Sequence, residues 1–359
     1  MTLPSKTHKS NMSKNSKRPG TAATPRRWKI LCLAIGITVM LLTAGAFGLR
    51  QWWFQHWPVT PPGIQRVDIA SGTALPQVAA QLEQAGVIGD ARRFVQLARW
   101  REAAQKIRAG SYQFSKAATP VEVLDRLVAG DVIKIRITIP EGFTLREIAA
   151  RVAAAGIGTA TQFLHAAADP ARLGKLGIPT RSLEGYLFPE TYTVTTTTTP
   201  EEVLRAMVAQ FERQLSPKMV AAAKAHGLDR HAMVTLASIV QKEAGSEEEM
   251  PLIAGVFYNR LRKGMRLQAD PTVIYGIPDF DGNLTRRHLE TPTPYNTYTR
   301  AGLPPGPIAS PGLAALRAVA QPAATQALYF VATGEGRHVF NVTLEAHNRA
   351  VQRYQLKRR

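Results

Sequence analysis

Hydrophobic and polar positions divide this chain into stretches of different period. Residues 30–49 form an unbroken run without a charged side chain. Twenty helical residues rise roughly 30 Å, about the thickness of a bilayer core, so a transmembrane helix is expected over 28–49. Trp28 stands at one end, and Trp52, Trp53 and Trp57 lie beyond the other, where aromatic rings favour the headgroup layer. The rival reading is a cleaved leader with Ala44-Gly45-Ala46 as its processing site, although this apolar run exceeds the usual ~7–15 residues. Both readings export the rest of the chain. Residues 1–27 carry seven basic side chains, no acid and almost no large apolar residue, which predicts a disordered arm kept in the cytoplasm by the positive-inside rule.

Beyond a short linker at 50–64 the pattern turns globular. Val132–Ile139 alternates, with Ile133, Ile135, Ile137 and Ile139 on one side and Lys134 and Arg136 on the other, as a half-buried strand does. The chain also repeats itself. Ile69-Ala-Ser-Gly72-Thr-Ala-Leu75 and Ile139-Pro-Glu-Gly142-Phe-Thr-Leu145 align at an offset of 70, and Thr119-Pro120-Val-Glu122-Val123-Leu124 and Thr199-Pro200-Glu-Glu202-Val203-Leu204 at an offset of 80. One unit of strands and helices therefore occurs twice. The ten extra residues of the second copy fall around Ser182–Tyr192. Thr144 with Glu147, and Thr199 with Pro200 and Glu202, are helix-start signatures. Leu328–Ala332 and His338–Val342, around Gly334-Glu335-Gly336, read as a hairpin, with a helix from Leu344. Ser310-Pro311 reads as a helix cap. The fold expected is α+β: a small module at 65–138 and a larger α+β domain at 139–355.

Composition narrows the function. The 359 residues include 45 basic and 26 acidic side chains, a net charge of +19. Removing the arm and Lys29 leaves +11, and export makes an anionic extracytoplasmic polymer or the lipid surface a better target than nucleic acid. A lone Cys32 allows neither an internal disulfide nor a thiolate zinc site. There is no Walker loop, Gly-x-Gly-x-x-Gly, Gly-x-Ser-x-Gly or His-Glu-x-x-His pattern, so no metal or cofactor is expected.

Asp229 should cap a helix reaching Glu243. Met233, Leu236, Ala237 and Val240 form its apolar stripe, and Glu243 stands three residues after Val240, on or beside the buried face. Burial raises a carboxyl pKa, which suits a general acid at neutral pH; the plainer alternative is an acid escaping to solvent before Gly245. Gln241 and Lys242 should face solvent. Glu184 and Glu190 flank Tyr186, Phe188 and Tyr192, a mixture that fits either a sugar-binding surface or a strand packed on a core. Arg266, Gln268 and Asp270 alternate with Leu267 and Ala269, which points three polar groups one way. Tyr295-Asn296-Thr297-Tyr298 offers two rings and an amide, which fits either a contact to an N-acetyl group or a plain turn.

Six ordered motifs then resemble a known family. Leu183-Glu-Gly-Tyr-Leu-Phe-Pro-Glu-Thr-Tyr192, Ala237-Ser-Ile-Val-Gln-Lys-Glu-Ala244, Val256-Phe-Tyr-Asn-Arg-Leu261, Gly264-Met-Arg-Leu-Gln-Ala-Asp-Pro-Thr-Val-Ile-Tyr-Gly276, Tyr295-Asn-Thr-Tyr298 and Gly302-Leu-Pro-Pro-Gly-Pro-Ile-Ala-Ser-Pro-Gly312 stand in the order of the YceG-like endolytic murein transglycosylases. The resemblance implies a single-pass anchor in the inner membrane, a LysM-like module over 65–138 and an extracytoplasmic catalytic domain over 139–355. It also implies cleavage of nascent peptidoglycan between N-acetylmuramic acid and N-acetylglucosamine, leaving 1,6-anhydro ends, with cell-wall synthesis proteins as partners. The family's catalytic acid falls on Glu243. Glu190, Tyr192, Asn259, Gln268, Asp270, Thr272, Tyr295 and Asn296 are the expected substrate cleft. Two positions depart from the pattern: Gln241 replaces a frequent acid, and Ser310 a usual asparagine. A non-catalytic peptidoglycan-binding scaffold is the alternative.

Overall fold

The computed structural model describes residues 26–55, 63–334 and 336–356. The arm over 1–25, most of the linker, Trp57 and Glu335 in the hairpin turn lie outside the described residues, as does the side chain of Trp53.

A 30-residue helix, Arg26–Gln55, comes first. Its segment Trp28–Arg50 has a mean hydropathy of 2.4 and is exposed throughout, so by length and composition it can cross a membrane. The helix continues past the apolar run, and its last turn therefore extends beyond a ~30 Å hydrocarbon layer.

The duplication is visible in backbone pairing. Strand β1 (Gln65–Ile69) leads to helices Leu75–Gln84 and Ala91–Trp100, then to β2 (Gly110–Phe114) and helix Pro120–Ala129. Strand β3 (Lys134–Thr138) leads to helices Leu145–Ala154, Ala160–Ala167 and Pro170–Lys175, then to β4 (Thr191–Thr195) and helix Pro200–Gln214. Both strand pairs are antiparallel. Gln65 faces Phe114 in the first sheet; adding 70 and 80 to these numbers gives Ile135 and Val194, which face each other in the second. Thr119 and Thr199 start equivalent helices with the same reciprocal capping box, formed with Glu122 and Glu202. Such a box satisfies two backbone N–H groups that the first helical turn leaves unpaired.

Two apolar cores result. One gathers Val67, Leu82, Phe94, Leu97, Tyr112 and Leu124 between β1, β2 and their helices. The larger one joins Ile137, Ile148, Phe163, Leu183, Met207 and Phe211 to the helices Arg230–Glu243, Met250–Arg262 and Leu313–Ala320. Strands β5 (Tyr329–Ala332) and β6 (His338–Asn341) form the expected hairpin, and helix Leu344–Val351 comes after it.

Ser310 does not cap a helix. Its N–H donates to Phe143 O and its carbonyl accepts from Gly142 N–H, both at 2.8 Å. This double bridge ties the residue to the loop before helix Leu145–Ala154. The next helix starts only at Leu313, with Gly312 as the N-cap. The buried Ser310 hydroxyl has no hydrogen-bond partner among the described residues.

Candidate active site

The helix Arg230–Glu243 runs through the middle of the larger core. Asp229 accepts from Ala232 N–H at 2.8 Å and starts it. Every residue from Met233 to Val240 is buried, so the expected stripe is in fact a fully enclosed stretch of helix. Its polar members are satisfied locally: Ser238 donates to Thr235 O (2.8 Å) and accepts from Ile308 N–H (3.0 Å), which ties the proline-rich loop to the helix. Glu243 is the last helical residue, and Ala244 then turns extended. Gly245 lets the β5–β6 hairpin close over this end, since a Cβ there would stand 2.3 Å from Gly336 O.

Glu243 keeps partial access to solvent, but protein atoms crowd it. Burial, reinforced by the negative charge of Asp270 and opposed by Arg260, pushes its carboxyl up to about 8. About nine-tenths of the molecules would then hold the proton at pH 7. The neighbouring wall comes from residues 266–270. Arg266, Gln268 and Asp270 are exposed while Leu267 and Ala269 are buried, as the alternation predicts. Gln268 adopts a φ of +51°, an uncommon conformation for a side chain of this size. Its N–H donates to Thr297 O at 3.2 Å, and the adjacent Ala269 N–H donates to Thr297 Oγ1 at 3.0 Å.

Two residues outside the expected set complete this neighbourhood. Tyr298 donates its hydroxyl to Asp270 at 2.5 Å, and burial together with Asp270 and Glu243 pushes its phenol upward. Arg260 donates to the carbonyls of Leu267 (2.8 Å), Arg266 (3.2 Å) and Leu328 (2.6 Å) and to Gln268 Oε1 (3.4 Å). One guanidinium thus fixes the Arg266–Asp270 wall and the hairpin together, with its positive charge felt at Glu243. The sequence held a signal for Tyr298, which closes the Tyr295–Tyr298 motif. Arg260 also stands inside a motif, but nothing in its local pattern announces that it turns inward.

Three expected cleft residues prove to be internal ties. Asn296 is buried and donates its amide to His288 O, Leu289 O and Thr291 O while accepting from Tyr298 N–H at 2.8 Å. Asn259 is buried and donates to Thr325 O and Ala327 O, both at 2.9 Å. Thr272 is buried and bonded to Ala269 O and Thr297. Their side-chain polar atoms are taken up by bonds that hold loops in place. Tyr192 belongs to the β3–β4 ladder and donates to Phe188 O, while Glu190, exposed just before β4, accepts from Ile139 N–H through its backbone carbonyl. Tyr295 packs its ring on Tyr275, 4.8 Å between centroids.

The Ser182–Tyr192 insertion is core rather than a sugar platform at its centre, because Tyr186 and Phe188 are buried. Glu184 is buried too. It accepts from Leu145 N–H at the start of helix Leu145–Ala154 (2.9 Å) and from the Tyr275 hydroxyl (3.1 Å). Burial, opposed by these donors, pushes it up to about 7. Lys242 is exposed, as expected. Gln241 is not solvent-directed: it accepts from Gly312 N–H at 2.9 Å and hydrogen-bonds Glu141.

Comparison with known proteins agrees with the family resemblance. The profile of the YceG-like family matches residues 67–353. This chain belongs to the YceG-like family. An endolytic murein transglycosylase of Bacillus subtilis is 32% identical over 304 residues, covering 80% of this chain and 84% of that protein. An endolytic murein transglycosylase of Streptococcus pneumoniae is 32% identical over 317 residues, covering 79% of this chain and 57% of the longer relative. The 2.6 Å crystal structure of a YceG-like protein from Listeria monocytogenes superposes with a TM-score of 0.55 at 32% identity, over 80% of this chain and 99% of that one. The YceG-like match spans both copies of the repeat and the whole Glu243 neighbourhood.

Proposed function

We propose that this YceG-like chain is a membrane-anchored endolytic transglycosylase that cuts peptidoglycan glycan strands between N-acetylmuramic acid and N-acetylglucosamine. The observation that carries the reading is Glu243, a carboxyl crowded enough to stay protonated at neutral pH and still touched by solvent, beside Asp270, Tyr298 and Arg260. Such a group can protonate a leaving glycosidic oxygen. Ordinary glycosidases add a second carboxylate as nucleophile or base. Here Glu243, once ionised, takes the proton back from the C6 hydroxyl as that oxygen closes on C1, giving a 1,6-anhydro ring and consuming no water. The proton balance is closed: one proton leaves Glu243 and one returns. Proton transfer of this kind contributes ~10²–10⁴-fold, and sugar positioning must supply the remainder. Gln268, Asp270 and Tyr298 are the side chains we assign to the cleft.

The first copy of the repeat supports a glycan-holding, LysM-like role. Two helices connect the paired antiparallel strands β1 and β2, and a groove of about 130 Å³ opens between Ala70–Thr73 and Ala104–Ala109. The exposed helix Trp28–Arg50 supports a single-pass anchor, with the basic arm in the cytoplasm and the catalytic domain outside the inner membrane. Cutting then falls on newly made strands near the bilayer and ends their growth, beside the wall-synthesis proteins that extend them.

The test is product analysis. Purified full chain incubated with glycan strands should generate 1,6-anhydro-muramyl ends, lighter by one water than hydrolytic ends in mass spectrometry, and Glu243→Gln should abolish them. Reducing ends would make the chain a hydrolase; binding without cleavage would make it a scaffold.

A further inference from the structure

The membrane-proximal end of the first module carries a face that catalysis at Glu243 does not use. The Arg50 guanidinium lies over the Trp100 ring, 4.4 Å from its centroid, and the long N-terminal helix also packs on helix Pro120–Ala129. Arg50 ends the apolar span Trp28–Arg50, so a ring touching Arg50 stands at the depth where the span leaves the hydrocarbon. Trp100 is 38% exposed there, and indole rings favour this layer.

Helix Ala91–Trp100 continues the surface. Phe94, Leu97 and Ala98 are buried in the module core. Arg92, Gln96, Arg99 and Trp100 are exposed, and their spacing of four, three and one places them on a single outward face. Residues 91–108 contain six basic side chains and a single acid, Glu102. Arg101 is paired with Asp125 at 2.7 Å, whereas no ion pair engages Arg92 or Arg99 among the described residues. A tryptophan at headgroup depth beside unneutralised arginines matches an anionic lipid surface, because long basic side chains reach phosphates while aromatic bodies remain in the interface.

We infer that the first module docks on anionic lipid headgroups of the leaflet from which the span emerges, through the Arg92, Gln96, Arg99 and Trp100 face. This inference rests on the proposed reading of Trp28–Arg50 as a membrane anchor. Docking would fix the module at the bilayer. The lipid contact is set by Arg50 against Trp100, which places the face at the membrane before any glycan arrives.

The full chain in nanodiscs provides the test. An environment-sensitive fluorophore is attached at Gln96→Cys in a Cys32→Ser background, and separately at native Cys32 as an anchor control. Quenching by nitroxide lipids is then compared between phosphatidylcholine discs and discs containing phosphatidylglycerol. The Cys32 label should be quenched by chain nitroxides in both. The residue-96 label should be quenched by headgroup nitroxides in the anionic discs and released by high salt. Each basic residue near a charged surface is worth about fivefold, so Arg92→Gln with Arg99→Gln should lower the docked-to-undocked ratio about 25-fold. A quenched Cys32 label with an unquenched residue-96 label overturns the docking and leaves the anchor standing. Quenching that ignores lipid charge and both substitutions also overturns it, as does a residue-96 label that responds to added glycan and not to lipid. An unquenched Cys32 label refutes the anchor itself and takes this inference with it.

Discussion

Replacing Glu243 by glutamine should inactivate the protein and stabilise it. The carboxyl titrates near 4.5 in an unfolded chain and at about 8 in the folded one. Between these values the folded state binds the extra proton. The stability linked to Glu243 is therefore complete below pH 4.5 and is lost as pH rises through about 8. An interval of ~3.5 pH units at 1.36 kcal/mol each sets a ceiling of ~5 kcal/mol. Solvent reaches part of the group and screens it, so ~2–3 kcal/mol is the working magnitude. Glutamine keeps the shape and never ionises. Thermal melts of the full chain in detergent should therefore show little difference between Glu243→Gln and wild type at about pH 5. At about pH 9 the variant should lead by ~5–10 °C, taking ~2–4 °C per kcal/mol. Anhydro-product formation should fall by at least ~100-fold at every pH. Parallel melting-temperature curves for the two proteins across this pH range would refute the claim that this carboxyl is forced to keep its proton.

Two further outcomes concern the same neighbourhood. Asp270→Asn removes the negative charge that helps raise Glu243, so the alkaline limb of the pH–rate profile should move to lower pH; a limb that stays in place would separate the two acids. Gly245→Ala puts a Cβ 2.3 Å from Gly336 O and must push the hairpin away from the end of the Glu243 helix. We expect a loss of ~1–3 kcal/mol in denaturant melts, with product formation falling further than the unfolded fraction explains.

Local signals in the sequence settle whatever local chemistry settles. Capping boxes at Thr119, Thr144 and Thr199 appear where the Thr-x-x-Glu spacing puts them, because the bonds that make them span three residues. The strand register also carries over from the repeat, since Ile135 against Val194 is the image of Gln65 against Phe114. The alternation at Arg266–Asp270 survives because a two-residue period directly encodes which side faces out. The features that stayed hidden depend on partners far along the chain. Asn296, an exposed-looking amide in a tyrosine-rich motif, is consumed by carbonyls of the preceding helix and turn. Glu184, an acid among aromatics, caps helix Leu145–Ala154 across 39 residues of sequence. Polar residues tying loops together and polar residues facing substrate have the same composition, and only burial separates them.

The same distinction explains why Glu243 can be placed from pattern while its cleft cannot. Burial in a helix that stays enclosed up to its final turn is the larger cause of the raised Glu243 carboxyl, and a second negative charge brought close without a neutralising ion pair adds to it. The first is written locally, in the apolar run from Met233 to Val240. The second depends on Arg260. Its guanidinium is directed to the carbonyls of Leu267 and Leu328 and to the Gln268 side chain, so it positions the segment that carries Asp270 while only partly offsetting the acids. If Arg260 instead gripped Glu243 directly, that acid would be held ionised and the proton that the proposed reaction requires would be absent at neutral pH. The hydrogen bonds that fix the wall also keep the cation from cancelling the charge that Asp270 adds to the effect of burial.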